Sequence, residues 1–156
     1  VEDAAELAPD HPHLVKLVAR NANVEGAGEV TVRDLVKQAL RMRPDRIIIG
    51  EVRGSEALDL LKAWGTGHPG GIGTIHAGTG IGALRRLEQL IQEAVVTVPR
   101  ALIAETIDLV AVLAGRGSAR RLAELACVEG LGPDGDYRIS LAFPDTSIPH
   151  VPGEPA

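Results

Sequence analysis

Aromatic side chains are almost missing from this 156-residue chain, which has one Trp, one Tyr and one Phe. Its core must therefore be built from Ala, Val, Ile and Leu, and a platform for stacking nucleobases is excluded. Basic residues are also in short supply. Lys plus Arg number 16 against 21 Asp plus Glu, a formal charge of −5. That balance lacks the dense basic face of a nucleic-acid binder, so no direct nucleic-acid binding is expected. A single cysteine, Cys127, excludes a disulfide framework and any multi-cysteine zinc site. It reads as a small buried hydrophobe in a protein of a reducing, cytosolic compartment. No apolar run approaches the ~18 residues of a membrane-spanning helix. The longest candidate, Ile107 to Ala114, is short and carries Asp108. The chain opens Val1-Glu2-Asp3, with neither a signal peptide nor an initiating Met. That opening is expected of the downstream part of a longer protein.

What is present is an ordinary globular mixture, 45% hydrophobic and 24% charged. Apolar alternation over His13–Arg20 predicts a strand. From Thr31 the period lengthens: Val32, Leu35, Val36, Ala39 and Leu40 form one helical stripe. Thr31 and Asp34 make a capping-box start, and Pro44 ends the segment. Ile47-Ile48-Ile49 predicts a strand covered on both faces. Ser55 is expected to cap a second helix that stops at Gly65, with Ala57, Leu58, Leu61 and Trp64 facing inward. Gly71–His76 reads as a second short strand. Ala83–Ala94 reads as a helix, and Pro99 suits the first turn of another that runs to about Ile107. Asp108–Ala114 is expected to be a buried strand. Arg120–Val128 and Tyr137–Phe143 then form a hairpin around Pro133-Asp134-Gly135. Alternating strands and helices predict an α/β fold, a mainly parallel sheet flanked by helices with a C-terminal hairpin. One domain is expected over residues 1–143, followed by a loose Pro-rich tail over 144–156.

In parallel sheets, ligands bind beyond the carboxyl ends of the strands. Two chemical groups fall there. Gly50-Glu51-Val52-Arg53-Gly54 follows the isoleucine strand and presents Glu51 at its mouth. A carboxylate so placed can orient water or hold magnesium through water; the plainer reading is a loop glutamate paired with Arg53. Gly67–Ala77 carries Thr74 and His76, two residues apart and on one side of a strand. A hydroxyl and an imidazole there suit a terminal phosphate; the plainer reading is a histidine bonded to a nearby carbonyl. A zinc pair of His68 and His76 lacks helical spacing and further soft ligands. Arg20, Arg33, Lys37, Arg41, Arg43, Arg46 and Arg53 form either a solvated face or a source of arginine fingers. Gly78-Thr79-Gly80-Ile81-Gly82-Ala83 fits a dinucleotide fingerprint but lacks the acid that would hold a ribose.

Leu40–Arg53 resembles the Walker B signature of the type II/type IV secretion ATPase family. Gly67–Ala77 resembles that family's His box, and Val1–Leu7 its Asp box. The stretches Gly82–Glu93 and Pro99–Glu105 look most like the conjugative-transfer branch, and the likeness covers about residues 1–140. It implies part of a RecA-like P-loop NTPase core, using ATP and Mg2+ in a homo-oligomeric, hexameric ring. Such rings work at the cytoplasmic face of the inner membrane, with the secretion-channel components there. By the same resemblance, Glu51 orients water, Glu2 serves magnesium through water together with Glu51, and His76 reads the γ-phosphate. Thr74, His68, Arg20 and Arg41 fall at phosphate- or nucleotide-binding positions. Two departures stand out. Gly54 replaces an Asp common in relatives, and no lysine follows a glycine, so the phosphate-cradling GxxxxGK loop is lacking. The chain alone is expected to be inactive. The alternatives are a non-hydrolysing ring subunit and a type II secretion or type IV pilus motor.

Overall fold

The computed structural model describes residues 1–144. Helix α1 spans Val32–Ala39 and tightens into a 3-10 turn over Leu40–Met42. Its capping box forms as expected: the Thr31 hydroxyl accepts the Asp34 amide, and the Asp34 carboxylate accepts the Thr31 amide. Helix α2 spans Glu56–Gly65, α3 Gly80–Gln92 and α4 Arg100–Thr106. Pro99 occupies the N-cap of α4 rather than its first turn. Strand β1 (Leu109–Ala114) pairs antiparallel with β2 (Arg121–Leu131), which pairs antiparallel with β3 (Tyr137–Pro144). The hairpin turns where expected, with Gly135 at φ 75°. Beyond Pro144, the tail expected over 144–156 lies outside the described residues.

The only regular sheet among the described residues is thus antiparallel, in the order β1-β2-β3. Parallel pairing occurs, but as isolated bridges, Glu2 with Val18 and Ile48 with Ile72. Around them, Ile49 donates its amide to Ile72 and Val52 to Thr74. The Val1 carbonyl accepts from Gly50, and the Val1 amine donates to Ile48. Extended segments near 1–2, 17–19, 47–52 and 72–74 therefore lie side by side without long ladders. Gly70, Gly71 and Gly73 weaken the last of them, since glycine has no side chain to pack on a sheet.

Neither Ile47–Ile49 nor Gly71–His76 forms the regular strand expected of it, and two further expected strands need correction. His13–Arg20 contributes only Val18 and Arg20 to bridges, and Val15 is 66% exposed. A partner at one end alone cannot sustain a strand. β1 is not buried on both faces: Val112 is covered, whereas Leu109 and Leu113 are 52% and 60% exposed. Cys127 sits opposite Leu109 and is half-buried rather than buried.

The core lies where α2, α3 and α4 close over the isoleucine segment. Ile47, Ile49, Leu60, Leu61, Leu84, Leu90, Ile91 and Ile103 are all buried there. Burying each such side chain is worth roughly 1.5–3 kcal/mol. Trp64 packs against this cluster, and its indole N–H donates to the Ile47 carbonyl at 3.0 Å. The rigid floor so formed carries the loop that follows Ile49.

Candidate functional site

Ile49 is anchored in the core, so the chain leaves it in a fixed direction and delivers Glu51 to the rim. The neighbouring segment, aligned through Ile72, delivers His76 to the same rim. The two side chains meet, His76 Nε2 lying 2.9 Å from Glu51 Oε1. The other carboxylate oxygen of Glu51 pairs with Arg53 Nη2 at 2.5 Å, and Arg53 Nη1 reaches Asp3 at 2.7 Å. Asp3, Arg53, Glu51 and His76 thus form one continuous chain of charge and hydrogen bonds. The Arg53 hydrogen bond is the main reason the Glu51 carboxyl is held below its ordinary range. It is therefore ionised at neutral pH. Its side chain is only 16% exposed, whereas that of His76 is 90% exposed. The acid is enclosed, and the imidazole reaches it from the solvent side.

Thr74 adds a brace, its hydroxyl donating to the Gly50 carbonyl at 2.5 Å. The plainer reading of Glu51 as partner of Arg53 is met, and Glu51 also faces His76. The carbonyl-bonded histidine is His68, whose Nδ1 lies 2.6 Å from the Pro44 oxygen. His68 is therefore not brought to Glu51. Neither are Arg20, which donates to the Gly28 carbonyl, and Arg41, which is exposed on the 3-10 turn. Arg33 is engaged with Asp59.

Glu2 is buried, with its Cγ 3.1 Å from where a Gly50 Cβ would lie. Its Oε1 accepts the amides of Leu7 (2.7 Å) and Glu6 (2.9 Å), which lower its pKa, with help from the Lys16 charge. A carboxyl depressed on folding stabilises the protein above its unfolded pKa, and the effect fades as pH falls through the lower folded value. Glu2→Gln is accordingly expected to be less stable than the parent at pH 7. Urea melts at pH 7 and pH 3 should show the difference shrinking on acidification.

Direct magnesium ligation does not fit this donor set. Glu51 has both oxygens engaged, Glu2 Oε1 serves backbone amides, and no group of three metal-ligating side chains occurs among the described residues. Two grooves flank the rim. One, of about 830 Å3, lies between Gly71–Ala77 and Thr106–Leu113 and is lined by Thr74, His76 and Trp64. The other, of about 900 Å3, runs between Glu2, the 9–17 loop and Met42–Ile48. Glu51 lines neither.

Sequence reasoning missed Asp3 as a member of the site and Glu56 beside it. Ser55 adopts helical backbone angles and makes no capping bond. Instead the Glu56 carboxylate accepts the Arg53 and Gly54 amides. At the dinucleotide-like stretch, the Glu124 carboxylate accepts the Gly80 amide at 2.7 Å, so the start of α3 is satisfied from within the fold.

The family model described as "Type II/IV secretion system protein" matches residues 1–130. The chain belongs to that family. Within it, Rv3659c of Mycobacterium tuberculosis, named for conjugal transfer, is 60% identical over 131 residues, 81% of this chain and 37% of that protein. Conjugal transfer protein TrbB of Rhizobium radiobacter is 44% identical, over 83% of this chain and 38% of its own length. Among solved structures, the VirB11 ATPase of the Brucella suis type IV secretion system, in complex with sulphate, superposes with a TM-score of 0.67. It is 30% identical, over 80% of this chain and 38% of that one. The Legionella pneumophila ATPase DotB gives 0.56 at 26% identity, over 81% of this chain and 35% of that one. The chain therefore spans under half the length of these family members. Their superposition shows that this chain shares the fold of the corresponding part of those two ATPases. No helix among the described residues is long and apolar enough to cross a membrane.

Proposed function

We propose that this chain supplies the water-orienting acid and the phosphate-reading histidine of an ATP-hydrolysing motor for conjugative transfer or type IV secretion. The observation that carries the reading is the 2.9 Å approach of His76 to Glu51 at the ends of two neighbouring extended segments. Glu51 is the ionised acceptor that aligns water for attack on the γ-phosphorus. His76 and Thr74 address the γ-phosphate from the adjacent segment. An arriving phosphate competes for the exposed imidazole of His76, while Arg53 keeps its hold on the other Glu51 oxygen. That competition releases a Glu51 oxygen to the water.

In this reading, the phosphate-cradling loop comes from sequence outside the 156 residues, and the groove beside Gly71–Ala77 receives the strand that leads to it. The isolated parallel bridges then become part of a RecA-like parallel sheet. Glu2 and Glu51 would face Mg2+ only through water, and the ion would supply charge neutralisation at the phosphates. Arg20 and Arg41, away from Glu51 within one chain, are arginine fingers offered across subunit boundaries of a hexameric ring. The motor works in the cytoplasm, against inner-membrane channel components. The relatives named for conjugal transfer and the type IV secretion ATPase support this assignment.

A second reading, a ring subunit that does not hydrolyse ATP, draws on the engagement of both Glu51 oxygens. Phosphate release separates the two. The chain alone is expected to release none. A protein that joins it to a GxxxxGK-bearing portion is expected to turn over ATP; if that protein binds ATP without hydrolysing it, the second reading stands.

A further inference from the structure

Only two charged side chains among the described residues are buried, Glu2 and Glu56. Glu56 opens α2 but does not serve the helix's own amides. Its Oε1 turns back onto the loop and accepts two consecutive amides, Arg53 at 2.8 Å and Gly54 at 2.9 Å. Its other oxygen lies 3.1 Å from where a Gly54 Cβ would stand, so the absence of a side chain at 54 gives the carboxylate its room. The Arg53 backbone is thereby fixed, and the Arg53 guanidinium bridges Asp3 and Glu51.

We propose that Glu56 is a positioning residue, clamping the Arg53–Gly54 turn so that the Arg53 guanidinium holds Glu51 at the rim opposite His76. The inference rests on Glu51 being the water-orienting acid, and it adds a residue that acts through the backbone of its neighbour. A buried carboxylate accepting two amides is a stiff support: charge-assisted hydrogen bonds are about twice as strong as neutral ones. Ser55, the ordinary capping candidate, makes no such bond and leaves the task to Glu56.

Two readouts test this. In the chain itself, Glu56→Ala is expected to accelerate hydrogen exchange at the Arg53 and Gly54 amides while the amides within α2 stay protected. Glu56→Gln retains an acceptor oxygen and is expected to restore most of that protection. In a protein that joins this chain to the phosphate-binding loop, Glu56→Ala should lower kcat by up to about 10²-fold, the effect of misplacing a reacting group. KM for ATP should stay within about twofold, and Glu56→Gln should recover the rate. If Glu56→Ala does not fold, Glu56→Asp takes its place, keeping the charge on a side chain too short to span both amides. A folded Ala or Asp variant with unchanged kcat overturns the proposal, as does a fall in stability that leaves exchange at 53 and 54 unaltered. Glu51→Gln run alongside separates the two failures. If it also leaves turnover intact, the reading of Glu51 has failed; if it alone abolishes turnover, only the role of Glu56 has.

Discussion

Glu51→Gln, in a protein combining this chain with a phosphate-binding loop, is expected to lower kcat for ATP hydrolysis about 10²- to 10⁴-fold. KM for ATP should change little. The amide has nearly the same volume as the carboxylate, and its oxygen still accepts from Arg53 at the 2.5 Å contact. The fold and the nucleotide site are therefore undisturbed. What disappears is the negative charge and the capacity to take a proton from water in the transition state. Because Glu51 is ionised well below neutral pH, the parent carries that charge throughout the working range. Steady-state phosphate release with a parallel ATP-binding measurement reads both parameters. Turnover within about twofold of the parent would remove Glu51 from the chemistry. A matched loss of binding and rate would instead mark the Asp3–Arg53–Glu51 chain as structural support.

The acid stood out because it follows the buried Ile47–Ile49 segment, whereas His76 follows a glycine-rich segment in which Ile72 is 59% exposed. The helices were legible for a related reason. A 3.6-residue stripe and a capping box such as Thr31–Asp34 are properties of neighbours in sequence. The sheet was harder to read. Whether Asp108–Ala114 is covered on two faces depends on which segments lie beside it, and β2 comes back antiparallel with one side left open. Asp3 was invisible as a partner because its ion pair with Arg53 spans 50 residues. Glu56 left a fainter trace, an acid in the first turn of a helix. Only the helical backbone of Ser55 shows that the ordinary cap is absent and the glutamate must bond to the loop. Only the resemblance singled out Arg20, Arg41 and His68 as phosphate- or nucleotide-binding positions. The single chain gives them backbone partners or open solvent, and a role at the nucleotide for the arginines requires a neighbouring subunit.

Gly71→Ala is expected to cost about 2–6 kcal/mol of stability. A Cβ at this position would stand 2.0 Å from Trp64 Nε1 and 2.3 Å from Cε2, far inside contact distance. The indole cannot give way cheaply, because it packs on the core and donates to the Ile47 carbonyl at 3.0 Å. Relief therefore requires the ring to leave, costing about 1–3 kcal/mol for the overpacking and about 1–3 kcal/mol for the orphaned polar group. The alternative is for residues 71–74 to move away, which breaks the Ile49 and Val52 amide bonds to Ile72 and Thr74. Either route displaces the segment that ends in His76, so the fault would travel to the rim. Trp64 is the one tryptophan in the sequence, and its fluorescence reports the event directly. Thermal melts followed by that signal should fall by roughly 5–15 °C, with the native emission shifted to the red. Gly78→Ala is the matched control, since nothing lies within 4 Å of its added Cβ, and it should melt within a degree or two of the parent. Equal melting of the two variants would show that the Trp64 wall yields without cost, and that the approach of residues 71–74 to the isoleucine segment is not what holds His76 in place.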